Sequence, residues 1–82
     1  DLVANILPPG WSSGEFPSHR AGVRETLVVS AGRLRLVLGK RKFELAAGDS
    51  IFYGADVGHR FDNPSATDTA VFYIVIDYSR AE

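Results

Sequence analysis

Arg33-Leu34-Arg35-Leu36-Val37-Leu38, Gly39-Lys40, Arg41-Lys42-Phe43-Glu44-Leu45 is the stretch on which the fold turns. Leu34, Leu36 and Leu38 fall on one face of an extended chain and Arg33 and Arg35 on the other. That alternation is what a strand with one buried face requires. A helix would instead repeat its apolar residues every three to four positions. Gly39-Lys40 is a two-residue connection led by glycine, which suits a tight hairpin between 33–38 and 41–45. Arg33 and Arg35 are expected at solvent or at a subunit interface. The basic run Lys40-Arg41-Lys42 is expected as a solvated tip.

Outward from the hairpin the same pattern repeats. Upstream, residues 25–30 read as a strand closed by an Ala31-Gly32 turn. Residues 11–18 are polar and broken by Gly, Ser and Pro, and are read as an irregular edge or loop. Residues 2–7 form a first strand stopped by Pro8-Pro9-Gly10. Downstream come a turn at Ala47-Gly48-Asp49, a strand at 50–53, a loop at 54–58 and a strand at 59–61 that ends at Asn63-Pro64. The longest β run, 69–78, is apolar on both faces and is expected to be central in its sheet or covered. No stretch carries helical periodicity over ten or more residues. Seven or eight short strands with frequent turns predict an all-β sandwich or barrel.

Composition narrows the class. Eighty-two residues suffice for one domain of modest stability. A hydrophobic content of 45% argues against disorder. Nine Lys and Arg against ten Asp and Glu, scattered to a net charge of −1, lack the basic excess of a free-standing nucleic-acid binder. No apolar run approaches the ~20 residues of a membrane span, and the N-terminus has no signal-peptide pattern. The absence of cysteine removes disulfides and thiolate metal sites and suits a cytoplasmic location. There is no methionine, even at the start, so the chain is either processed or one piece of a longer protein, and residues 1–82 are read as a single domain of the second kind.

Two further stretches carry a resemblance. Glu25-Thr26-Leu27-Val28-Val29-Ser30-Ala31-Gly32 resembles the Glu-to-Gly half of the first cupin motif. In the stretch from Gly48 to Asn63, Gly48, His59 and Asn63 stand where the second cupin motif has Gly, His and Asn. Gly54 replaces its Pro and Asp56 its second Gly. The resemblance implies a small cupin-type barrel (a double-stranded β-helix, or jelly roll) with His19, Glu25 and His59 converging as metal ligands. The His-x-His pair of the first motif is reduced to His19, with Pro17 and Ala21 two positions away on either side. Ser18-His19-Arg20-Ala21-Gly22-Val23-Arg24-Glu25, followed by a Val-Val-x-x-Gly-Arg-Leu hairpin, is similar to one branch of the family. That branch is the C-terminal cupin sensor domain of helix-turn-helix regulators of the Cro/repressor type, the XRE family.

The residues themselves fit that site. His19 and Glu25 are six apart, an even spacing that keeps them on one face of an extended chain, although Gly22 intervenes. His59, Phe61 and Asn63 share a parity. Two imidazoles and one carboxylate suit one divalent ion, Fe, Zn, Mn or Ni, and a missing fourth ligand leaves positions open. The competing reading is a structural trio, with Glu25 and His59 hydrogen-bonded to Arg20, Arg24 or a ligand. The candidate ligand-binding residues are His19, Glu25, His59, Phe61, Arg24 and Tyr73. Trp11, Phe16 and Phe43 either line a pocket or fill the core. No serine stands in a nucleophile motif and no glycine loop cradles phosphate, so no catalytic residue is assigned.

Three functions compete. The first is a small-molecule sensor of a transcriptional regulator, with DNA bound only by a separate helix-turn-helix domain. The second is a metal-dependent oxygenase or isomerase, and the third a stand-alone ligand-binding cupin. A homodimer is expected for all three, because open β edges and a two-sided 69–78 strand invite pairing.

Overall fold

The computed structural model describes residues 2–82 and is built wholly from strands and turns. In chain order they are β1 (Leu2–Leu7), β2 (Arg24–Ala31), β3 (Arg33–Leu38), β4 (Arg41–Ala46), β5 (Ser50–Gly54), β6 (His59–Asp62) and β7 (Ala70–Asp77). They form a four-stranded sheet ordered β1-β7-β2-β5 and a three-stranded sheet ordered β4-β3-β6. Every pairing is antiparallel. The 33–45 hairpin has the register its alternation dictates: Leu36 lies opposite Phe43 on one side and Phe61 on the other.

The inward residues of the two sheets meet as one core. Leu27 and Val29 of β2, Leu34 and Leu36 of β3, Phe61 of β6, and Phe72 and Ile74 of β7 are buried in it. Parity alone places them, because each inward residue is flanked by outward neighbours on its own strand. Arg33 is exposed, and Arg35 pairs with Glu44 across the hairpin at 2.5 Å, which raises the Arg35 pKa.

Two expectations are refined. Residues 11–18 do follow an edge, with isolated bridges from Ser12 to Asp62 and from Phe16 to His59 that lay the segment alongside β6. The 69–78 run is central in its sheet, between β1 and β2, but it is not covered. Tyr73 and Val75 remain exposed on the outer face, beside Val28, Phe52 and Ile6.

The C-terminal tail closes over the loop that carries His19. The Glu82 N–H donates to the Ala21 carbonyl at 3.0 Å, and Ala81 packs on the core. Gly22 sits beneath this tail with φ of +87°, and a Cβ there would overlap the Arg80 carbonyl. Gly22→Ala should therefore strain the backbone and displace the tail together, at a cost of about 1–3 kcal/mol. Thermal melts should record a lowered Tm, and the Glu82 amide should lose its protection from hydrogen exchange. An unchanged melt would refute this packing.

Candidate metal and ligand site

One cavity of about 370 Å³ lies between the sheets, and His19, Glu25 and His59 line it. Each residue reaches it by a different route. Glu25 is an inward position of β2, paired with Ile76 of β7 and with Tyr53 of β5. His59 opens β6, where its inward parity continues to Phe61. His19 is not on a strand. It sits in the loop before the Gly22 turn, fixed by its backbone N–H donating to the Ala55 carbonyl at 2.8 Å. Its ring stacks on His59 at 5.7 Å and meets the Tyr78 ring edge-on.

The three donor groups lie within 4.8 Å of one another, and they are the only such group of three or more among the described residues. Glu25 Oε2 stands 3.1 Å from His19 Nε2 and 4.0 Å from His59 Nε2. Glu25 and His59 are buried, whereas a third of the His19 side chain is exposed.

Supporting hydrogen bonds orient these donors. His59 Nδ1 contacts the Val57 carbonyl at 3.0 Å. A carbonyl can only accept, so Nδ1 carries a proton, and in the neutral ring, the form that can bind a metal, the Nε2 lone pair faces the cavity. The Tyr53 hydroxyl donates to Glu25 Oε1 at 2.5 Å, which leaves Oε2 turned to both imidazoles. An imidazole lone pair and a carboxylate oxygen thus confront each other across 4.0 Å in a buried place. Electron-rich atoms so arranged are stabilised by a cation or a proton between them. Partners of just this kind fix metal-bound histidines and carboxylates. The donor set therefore fits a divalent ion held by His19, Glu25 and His59, which would supply a Lewis-acidic centre with open positions.

Burial first, and then the hydrogen bond to Glu25, push the Tyr53 pKa far above its ordinary value near 10. The hydroxyl therefore remains a donor at all physiological pH. The sign of the linkage follows: the stability this contributes is complete below pH 10 and is lost as pH rises beyond it, because the unfolded chain ionises first. Alkaline titration of the fold should show a decline above about pH 10. In Tyr53→Phe that part of the decline should vanish, although the variant loses stability at neutral pH through the unpaired Glu25 oxygen. Identical alkaline limbs for the two proteins would contradict the assignment.

Of the other residues expected here, Phe61 lines the cavity. Arg24 and Tyr73 do not join it. Arg24 adjoins Glu25 in β2 and so points outward, with its guanidinium over the Phe52 ring at 5.9 Å. Tyr73 lies between Phe72 and Ile74, which do line the cavity, and alternation turns it to the outer face. The hydrogen-bond partners expected from Arg20 or Arg24 are instead Tyr53 and the Val57 carbonyl. Sequence reasoning missed Tyr53, Phe72, Ile74 and Ile76. The β2–β5 pairing that sets Tyr53 opposite Glu25 would have found the first, and strict parity along β7 the others.

Asn63 is also buried, and its role is structural. Its side-chain amide donates to the carbonyls of Leu7, Pro8 and Asp68, and its Oδ1 accepts from the Ser65 N–H. It thereby ties the end of β1 to the loop entering β7 beside the cavity.

Comparison with known proteins agrees with this fold. The Cupin domain family matches residues 5–76, and the chain belongs to that family. Among solved structures, the Cupin_2 domain of an XRE family transcriptional regulator from Enterobacter cloacae superposes with a TM-score of 0.88 at 31% identity. That match covers 98% of this chain and 82% of the other. An HTH_3 family transcriptional regulator from Vibrio cholerae gives a TM-score of 0.83 at 24% identity, over 96% of this chain and 43% of that protein. A sugar phosphate isomerase of the cupin superfamily from Silicibacter pomeroyi gives 0.75 at 27% identity, over 92% of this chain and 48% of its own. No functionally curated protein matches the sequence.

Proposed function

We propose that this cupin is the small-molecule-sensing domain of a cytoplasmic transcriptional regulator, whose DNA contacts are made by a separate helix-turn-helix domain. The observation that carries the reading is a cavity whose ionisable groups gather at His19, Glu25 and His59 while most of its wall is apolar. The similarity to the Enterobacter and Vibrio regulators supports it. A ligand that prefers one arrangement of the domain would shift the population read by the DNA-binding part. The parent reading frame tests this directly: a helix-turn-helix segment encoded upstream of Asp1 is expected, and its absence would end the proposal.

A second reading, a metal-dependent oxygenase or isomerase, is favoured by one specific observation: the second row of hydrogen bonds from Tyr53 and to Val57. Such bonds serve a resident metal in a sensor equally well, so turnover of a substrate by the metal-loaded domain is what would separate the two.

The same proposal includes a homodimer formed through the outer face of β7 and β2. Its centre is apolar, at Val28, Tyr73 and Val75, and Arg24 and Asp77 carry opposite charges at one border, so two copies related by a twofold axis are complementary. Light scattering after size exclusion should give twice the chain mass, and Val75→Glu should give a folded monomer. A monomeric parent would refute it.

A further inference from the structure

The lining of the cavity restricts what it can hold, and the restriction is sharper than the fold alone supplies. Around the His19, Glu25 and His59 donors the wall is made chiefly by Phe61, Phe72, Ile74 and Ile76, with Asn5 and Ser13 as the other polar residues. No lysine or arginine is among the described lining residues. Arg24, which adjoins Glu25 in β2, is turned outward onto Phe52. Phosphate groups are recognised by Arg, Lys or arrays of backbone N–H groups, and a buried hydroxyl needs its own partner. A sugar phosphate or a polyol would find few partners for its polar atoms on this wall.

Size and charge narrow the class further. At the ~30 Å³ that each water occupies in the liquid, 370 Å³ accommodates a ligand of about a dozen non-hydrogen atoms. Metal binding takes histidine as neutral imidazole and glutamate as carboxylate, so a divalent ion held by these three donors would leave the group at a net +1. One monoanionic head neutralises that charge, while a second anionic group on the ligand would find no partner on the apolar wall. Three protein donors leave open positions on a divalent ion, and such a head can take one of them.

We infer that the cavity takes a compact monocarboxylate with an apolar body, aromatic or branched, bound head-first at the His19–Glu25–His59 donors together with a divalent ion. The inference rests on reading this cavity as the ligand site. It adds the chemical class of the ligand, and it excludes phosphorylated and polyhydroxylated ligands.

Calorimetric titration of the zinc-loaded domain with phenylacetate, 4-methylpentanoate and glucose 6-phosphate, repeated after zinc removal, tests it. The expected result is one-to-one binding of both monocarboxylates, at least tenfold weaker without zinc, and no binding of glucose 6-phosphate. Ile74→Gln should weaken phenylacetate at least tenfold. Should that variant not fold, ring-proton shifts of Phe61 and Phe72 in the parent domain locate the ligand instead. Tighter binding of glucose 6-phosphate, monocarboxylate binding indifferent to zinc, or no monocarboxylate binding would each overturn the inference. Those results leave the regulator reading standing. A parent frame without a helix-turn-helix segment removes that reading and leaves the ligand class intact.

Discussion

Glu25→Gln should reduce divalent-metal affinity by more than about 100-fold, beyond the 10–100-fold typical of losing a supporting residue, while the domain stays folded. Shape is conserved, and the amide oxygen can still accept the Tyr53 hydroxyl that now meets Glu25 Oε1 at 2.5 Å. What disappears is the negative charge confronting the His59 lone pair at 4.0 Å. In its place an amide N–H can be directed toward that lone pair, which suits the metal-free site better than two electron-rich atoms did. The metal-free variant should therefore be no less stable than the metal-free parent, and the metal-dependent rise in Tm should be lost. Competition against a chromophoric chelator, with a melt at each metal concentration, reads both quantities. A variant that keeps parental affinity would show that Glu25 is only a structural acid.

Leu36→Ala should have the largest effect on stability. Leu36 lies on the middle strand of the three-stranded sheet, between Phe43 and Phe61, and is wholly buried. Truncating a buried leucine costs about 2–5 kcal/mol, depending on how far the surroundings collapse into the void. A domain of this length has on the order of 4–12 kcal/mol in total. The substitution thus removes a large fraction of the stability, and it does so beside the cavity wall. Urea unfolding should show a much lower midpoint with an unchanged slope. A loss below about 1 kcal/mol would mean that the two sheets are not packed as described.

How far the sequence revealed these features depends on the physical signal each left. The 33–45 hairpin was legible because alternation and a glycine-led turn agree on the same register. Glu25 and His59 were legible because each opens an alternating run that continues inward, to Leu27 and Phe61. For His19 the even spacing from Glu25 is permissive only, because a turn at Gly22 interrupts the extended chain, and the tail over that turn holds the loop in place. Arg24, expected as a partner for the buried Glu25 and His59, lies outside the cavity because alternation sends adjacent residues to opposite faces. Tyr53 was missed because its importance lies in pairing across β2 and β5, a relation between distant segments that no local pattern carries.

The departure from the family motif has a structural counterpart. With the His-x-His pair reduced to His19, the donor set is two imidazoles and the one carboxylate of Glu25. Its orientation by Tyr53 then matters more than it would in a four-ligand site, because one rotation of the carboxylate would separate it from both histidines.

Metal K-edge absorption on tag-free protein, supplied in turn with Zn, Fe, Mn and Ni, is the most direct trial of the account. One equivalent per chain, seen by two imidazole nitrogens and one carboxylate oxygen and abolished in Glu25→Gln, is the expected spectrum. Protein that takes up none of the four, or binds them equally well once that carboxylate is gone, would contradict it.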